Sequence, residues 1–388
     1  MRILNFYLLF IMAATMAACQ SASENAVDPQ QFHEEILVFD THNDVLITSI
    51  MQGADIGQRL DHGHTDLPRL REGGVDVQVF AVWSDASGDF AFANQQIDAL
   101  MHLISQNPDQ IELALQSQSI EQITSQGKIA ALIGIEGGHM IEDRLDYLDS
   151  LHQRGAKYLT LTWNNSVSWA TSATDETNPA RAEDRRIGLS EFGRELIRHM
   201  NAIGMMVDLS HVGRQTFYDV LDVTTKPVLV THSNAYALAP HPRNLHDDQI
   251  EAIRENGGVI GINFYSGFVD SLYVKNVHDV YCEYVGEDAE LYSTDQQLAR
   301  LPAEGKEAVR PPLDMLMDHL DYLVQKAGID HVMLGSDFDG VDSTPIGLDD
   351  VADFPVLTKA LLERGYSQSD VRKIMGENMM RVLRENGI

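Results

Sequence analysis

"VFDTHNDV", Val38–Val45, is the stretch on which the reading of this chain turns. An apolar run ends in Asp40, His42 and Asp44, three polar side chains at alternate positions. In a β-strand, alternate side chains share one face. Three polar groups on one face ordinarily meet solvent, yet the residues before Asp40 read as a buried strand. Either the strand ends at a metal site or it breaks out into water. A lone His-x-Asp does not decide between the two.

Seven further apolar runs follow: "VDVQVFAVW" (75–83), "IAALIGIEGGH" (129–139), "AKYLTLTW" (156–163), "GMMVDLSH" (204–211), "PVLVTHS" (227–233), "GVIGINFY" (258–265) and "DHVMLGSDFDG" (330–340). Between them lie amphipathic segments such as "NQQIDALMHLISQ" (94–106), "LSEFGRELIRHMNAIG" (189–204) and "DDQIEAIRENGG" (247–258). Near-continuous apolar strands alternating with helices indicate parallel βα units with a covered sheet. Eight units over this length predict a (β/α)₈ TIM-type barrel; a doubly wound open sheet is the alternative.

The polar residues fall at the ends of these runs. The first ends in His42 and Asp44, the third in Glu136 and His139, and the fifth in His211. The sixth ends in His232 and the eighth in Asp337 and Asp339. Barrel chemistry sits at the C-terminal ends of the strands. Any one of these residues could be a structural histidine or a helix cap. Five runs ending in imidazole or carboxylate favour the metal site.

Of the 388 residues, the first nineteen, "MRILNFYLLFIMAATMAAC", have Arg2, an apolar stretch and small residues before Cys19. That layout predicts a secretory signal over 1–18, too short for a spanning helix. "MAAC" resembles a bacterial lipobox, which implies a lipid on Cys19; an ordinary signal with Cys19 incidental is the alternative. Gln20 after the cysteine resembles lipoproteins sent on to the outer membrane, so the expected location is its periplasmic face or the cell surface. Residues 19–33 read as a polar tether and 34–388 as one barrel domain. One other cysteine, Cys282, leaves no intramolecular disulfide framework. A net charge of −30 with scattered acids argues against a nucleic-acid partner.

Histidine and carboxylate without thiolate suit Zn²⁺, with Mn²⁺ or Fe²⁺ as alternatives. Five ligands are too many for one open catalytic zinc. Two metals sharing a carboxylate, about 3.5–4 Å apart with a hydroxide nucleophile between them, fit the count better.

"DTHNDV", "DLPRLREGGVDVQVFAVW", "GIEGG", "VDLSHVG", "THSNAYAL", "HPRNL", "HVMLGSDFDG" and "GENMMRVL" occur in this order. Together they resemble the membrane dipeptidase (renal dipeptidase-like) family of binuclear zinc peptidases. The resemblance implies two Zn²⁺ per chain, a small dipeptide substrate and a homodimer. It implies that His42 and Asp44 bind one zinc, that His211 and His232 bind the other, and that Glu136 bridges them. It further implies that Asp337 contacts the first metal and shuttles a proton, that Arg243 holds the substrate carboxylate, and that Tyr265 lines the pocket. A helix-capping role is the plain alternative for Arg243. His139 reads as structural, Asp40 as orienting a ligand, Asp339 as a turn residue, and His62, His64 and His241 as surface or loop residues.

One departure stands out. Family members acting on dipeptides generally carry a histidine after the fourth strand that contacts substrate; here "YLTLTWNNSVSWATS" has Trp163 in that place. Indole has one N–H and is never cationic, so Asn164 or Asn165 is the expected substitute donor. The segment "SGFVDSLYVKNVHDVYCEYVGEDAELY" (266–292) reads as a lid or dimer contact. Competing functions are another amidohydrolase-type reaction, such as N-acyl amino acid, lactone or phosphotriester hydrolysis, and a metal-binding homologue without catalysis. Related barrels usually open with His-x-His and bridge their metals with a modified lysine; His-x-Asp and Glu136 set this chain with the dipeptidases.

Overall fold

The computed structural model describes residues 27–181, 187–286 and 289–388. The signal segment and Cys19 lie outside them.

Among the described residues nine strands form: β1 Phe39–Asp40, β2 Val77–Trp83, β3 Ile111–Leu113, β4 Ile129–Glu136, β5 Ala156–Thr160, β6 Met206–Asp208, β7 Leu229–Val230, β8 Val259–Ile262 and β9 Val332–Leu334. They pair in the order β2-β1-β9-β8-β7-β6-β5-β4-β3, and a full-length β2–β4 pairing closes the ring. The closed barrel therefore has eight parallel strands, with β3 outside it against β4. Closure excludes the open doubly wound sheet. β3 was missed in the sequence because three residues with Glu112 in the middle make no apolar run.

The strands form where the apolar runs are continuous; all eight residues of β4 are buried. The helices lie where the period changes. Phe90–Gln106 buries Ala93, Gln96, Ile97, Leu100 and Leu103, a stripe at three- and four-residue spacing. Its first turn is capped by Asp89, which accepts from the Phe92 N–H. Glu191–Ile203 starts at a Ser190 cap and stops at Gly204, whose φ of 78° suits glycine.

Inside the barrel, Phe39, Val77, Val79, Ala130, Leu132, Met206, Leu229, Val259 and Met333 pack as one cluster. Met379, Met380, Val382 and Leu383 of the C-terminal helix Asn378–Asn386 join it and plug the N-terminal end of the barrel. Each fully buried aliphatic of this kind contributes about 1.5–3 kcal/mol.

Two sequence expectations change. First, Pro29–Glu34 is a helix with Phe32 and His33 buried, so the domain reaches into the segment assigned to the tether. His33 bonds Thr358 and the Gly73 carbonyl, contacts no local pattern reveals. Second, Asp40, His42 and Asp44 do not share one strand face. Regular β1 pairing ends at Asp40, which lies opposite Gln78 on the outside of the barrel while Phe39 packs inside, and a single parallel bridge resumes at Asn43 opposite Phe338. The irregular backbone between them brings His42 and Asp44 over the barrel mouth. The 266–292 segment, where described, builds helices whose Tyr273, Val277, Tyr281 and Ala289 form a small core with Leu298, Leu301 and Val309 of the residues that follow.

Candidate metal centre and active site

At the C-terminal mouth, β4 ends in Glu136, whose carboxylate has two different neighbourhoods. Its Oε2 lies 3.2 Å from His42 Nε2. Its Oε1 lies 2.9 Å from His211 Nε2 and 3.5 Å from His232 Nε2. On the Oε2 side, His42 Nε2 is also 3.4 Å from Asp44 and 3.9 Å from Asp337. Two groups have ligand atoms within 4.8 Å of one another: His42, Glu136 and His232, and His42, Asp44 and Asp337.

The three imidazoles are oriented from behind. Tyr158 donates its O–H to the Thr41 carbonyl, so His42 Nδ1 donates to the Tyr158 oxygen at 3.1 Å. Thr231 gives its proton to buried Asp208, so His232 Nδ1 donates to Thr231 Oγ1 at 2.9 Å. His211 Nδ1 lies 3.1 Å from Asn164 Oδ1. All three Nδ1 atoms are committed, so the three Nε2 atoms, gathered around Glu136, are the ones left to ligate cations.

These residues fit divalent cations. His211 and His232 bring their Nε2 atoms to 3.0 Å, where two lone pairs repel unless a positive charge lies against them. His42 Nε2 and Asp44 Oδ1 are buried without a hydrogen-bond partner, a cost of about 1–3 kcal/mol each unless a ligand takes them up. Burial pushes Asp337 up to about 8, opposed by His42 and aided by Asp44 and Glu136. Burial, with Arg243 adding to it, pushes His211 down to about 4, which keeps it neutral as a ligand must be.

The backbone is bent to serve this arrangement. His211, Asp337 and Asp339 adopt φ of 67°, 62° and 64°, three of the five non-glycine residues in the left-handed region among the described residues. Each costs on the order of 1–3 kcal/mol. Gly340 is needed because a Cβ there would sit 2.2 Å from an Asp44 oxygen and 2.6 Å from one of Asp337. Asp40 accepts from the Ser336 N–H and O–H, and Ser336 also reaches the His42 carbonyl, so Asp40 ties the His42 and Asp337 loops together.

A cleft of about 590 Å³ opens over the site and contains Asp44, Glu136, Trp163, His211, Arg243, Tyr265 and Asp337 from the sequence set. His42 and His232 lie beneath it, buried. Arg243 is 5% exposed. It donates to the His232 carbonyl and the Ser233 hydroxyl, not to a helix end. Burial pushes it down to about 10, and it makes no ion pair among the described residues. Trp163 meets Trp83 edge-on at 5.1 Å. Tyr265 carries its hydroxyl 3.4 Å from Asp295.

His64 and His241 lie in loops and Asp339 in a turn, as read, and two of the three also reach the cleft. His241 lines the cleft beside Phe268. His64 accepts from the Asp339 N–H, and Asp339, besides making the turn, lines the cleft. His62 is exposed, and His139 bonds Ser84. Trp83, Asn263, Phe268, Asp208 and Tyr158 were missed. Asp208 carried a signal, a carboxylate inside an apolar run; the aromatics did not, because an aromatic in a strand is usually core.

A family model described as membrane dipeptidase (Peptidase family M19) matches residues 28–387. An uncharacterized dipeptidase of Schizosaccharomyces pombe is 33% identical over 386 residues, covering 92% of this chain and 83% of its own. The dipeptidase tcpJ of Claviceps purpurea is 34% identical over 335 residues, covering 83% and 69%. Among solved structures, a Rhodobacter sphaeroides metallopeptidase liganded with a phosphinate mimic of the dipeptide L-Ala-D-Ala superposes with a TM-score of 0.73 at 26% identity, covering 90% of this chain and 99% of that one. A dipeptidase AC of family M19 gives 0.74 at 26%, covering 90% and 98%. With its closed barrel and its histidine–carboxylate mouth, the chain belongs to the membrane dipeptidase family of metallopeptidases, Peptidase family M19.

Proposed function

We propose that this protein hydrolyses dipeptides, of L,D as well as L,L configuration, with two zinc ions per chain. The observation that carries this reading is the division of Glu136, one oxygen facing His42 and the other facing His211 and His232. His42, Asp44 and Asp337 would hold one ion, His211 and His232 the other, with Glu136 between them. When bound, the ions supply Lewis acidity and bring the pKa of the attacking water from 15.7 to roughly 7.

The remaining work falls to side chains. Asp337 is steered by Asn263, which donates to its Oδ2 at 2.8 Å. It takes the proton of the attacking water and delivers it to the leaving amine. Arg243, buried and without a carboxylate partner, grips the C-terminal carboxylate of the substrate through charge-assisted bonds. The dipeptide mimic bound by the Rhodobacter relative supports acceptance of a D-residue on the carboxyl side. Trp83 and Trp163 present apolar faces and favour an apolar group near the scissile bond.

The test is a screen of L,L and L,D dipeptide pools, as free acids and as amides, with zinc-loaded protein and elemental analysis alongside. Two zinc ions in the wild type and fewer in Glu136→Gln are expected. One ion in the wild type, or two in the variant, overturns the bridge. Cleavage of N-acyl amino acids or lactones without dipeptide turnover overturns the substrate. The same proposal includes export and a lipid on Cys19, with Cys19→Ser released from membranes. No helix among the described residues is long and apolar enough to cross a membrane.

A further inference from the structure

We propose that Asn164 donates a hydrogen bond from its side-chain amide to the carbonyl oxygen of the scissile peptide bond, making it a catalytic residue of this chain. The inference rests on the dipeptidase reading above. A peptide carbonyl becomes an oxyanion when it is attacked, and a donor fixed in advance at that oxygen is worth roughly 10²–10³ in rate.

Asn164 has one amide, and the structure commits half of it. As a metal ligand His211 must keep its Nε2 lone pair for a cation beside Glu136, whose Oε1 is 2.9 Å away, so its Nδ1 carries the proton. That proton goes to Asn164 Oδ1 at 3.1 Å. Thr174 Oγ1 also approaches the same oxygen, at 3.4 Å. With Oδ1 engaged as acceptor, Nδ2 is the atom left over, and it has two N–H bonds to give. Asn164 lines the same cleft as Glu136, Asp337 and Arg243.

The donor is also held still. The Asn164 carbonyl accepts from Ser172 Oγ at 2.8 Å, and Ser172 bridges to Val212. The Ala173 N–H donates to the His211 carbonyl at 2.7 Å. The loop that carries Asn164 is thus fastened to the segment that carries His211, so the amide and the imidazole move as one. Asn165 differs: its Nδ2 reaches only the Ser166 carbonyl at 3.5 Å, its Oδ1 is buried, and it does not line the cleft. Trp163 packs against Trp83 in a T-shaped pair, 5.1 Å between centroids.

The proposal is tested with Asn164→Asp, which keeps an acceptor for His211 Nδ1 and removes the donor, and with Asn164→Ala, which removes both. Each is compared with wild type at zinc occupancy matched by elemental analysis, by dipeptide kinetics and by direct binding of a phosphinate dipeptide mimic. Asn164→Asp is expected to lose 10²–10³ in kcat with KM changed less than threefold. Phosphinate affinity should fall by a similar factor, because its oxygens occupy the oxyanion position. Normal kcat and phosphinate affinity in Asn164→Asp, with loss confined to Asn164→Ala, would show that the residue only positions His211 and would overturn the proposal. An effect on KM alone overturns it too. A fully loaded wild type that cleaves no dipeptide sinks the underlying reading, a result separate from any variant.

Discussion

The two ends of the barrel interior are built on opposite principles. At the N-terminal end, Phe39, Val77, Leu132, Met206 and Met333 meet Met379, Met380, Val382 and Leu383 of the last helix in one apolar cluster, and the buried Asn378 and Asn386 of that helix spend their amides on backbone carbonyls. At the C-terminal end the same strands deliver Glu136, His42, His211 and His232, with His42 Nε2, Asp44 Oδ1, Asp339 Oδ2 and Arg243 Nε buried and unpartnered. The left-handed residues His211, Asp337 and Asp339 are all at this end. One end buries apolar area and stabilises the fold unaided. The other carries unsatisfied polar atoms and backbone strain that only ligands offset. Stability and chemistry are thus separated along one axis, and substitutions at the two ends should read out in different assays.

The sharpest break would come at Asp337. Asp337→Asn keeps the side-chain shape and an oxygen but cannot carry the proton, so kcat should fall about 10²–10⁴-fold, with thermal stability and the His211–His232 metal unchanged. A near-normal kcat in a metal-replete variant would remove the proton shuttle. Next comes the metal itself. Ions that bind only the folded chain stabilise it by about 4 kcal/mol at a thousand times their Kd, so a chelator should lower Tm and zinc should restore it. A Tm indifferent to chelation would mean the polar end does not depend on cations. Leu383→Ala should have the opposite profile. Emptying part of the plug should cost about 2–5 kcal/mol, read as a lower denaturation midpoint, while kcat per folded molecule stays within twofold. A comparable fall in kcat would show that the two ends are coupled.

The smallest effect concerns Asp76, beside the N-terminal end, whose Oδ2 accepts from the Val38 N–H at 2.9 Å. Burial raises it from 3.8 to about 6. A raised acid binds more protons folded than unfolded, so its stability contribution falls as pH rises from about 4 through 6 and is then level. The fall is at most about 3 kcal/mol. Asp76→Asn keeps an acceptor and removes the charge, so it should match wild type near pH 4 and exceed it at pH 7.5. Equal melting curves at pH 7.5 would show that the charge is not penalised there.

The alternation of strands and helices and the ligand types at the strand ends were written locally, whereas closure, against the open doubly wound sheet, was decided by the β2–β4 pairing. Continuous apolar runs such as "IAALIGIE" can only be strands covered on both faces, and the carboxylate ending that run must leave the apolar layer at the barrel mouth. Periodicity is a near-neighbour property, so it survives in one dimension. What it could not carry was direction and company. The alternate spacing of Asp40, His42 and Asp44 suggested one shared face, yet regular pairing lapses between Asp40 and Asn43, where Asp40 is tied to Ser336 nearly three hundred residues away. The fixing of His42 by Tyr158, of His232 by Thr231 and Asp208, and of His211 by Asn164 rests on side chains from neighbouring strands or loops. Likewise Phe32 and His33 look like the end of a polar tether until Thr358 and Gly73 are brought beside them. The sequence determined which residues can bind and react, because residue type and local period set that. The tertiary structure alone decided which nitrogen faces the site and which amide is left free to donate, because a hydrogen bond is settled by whichever partner folding places within about 3 Å.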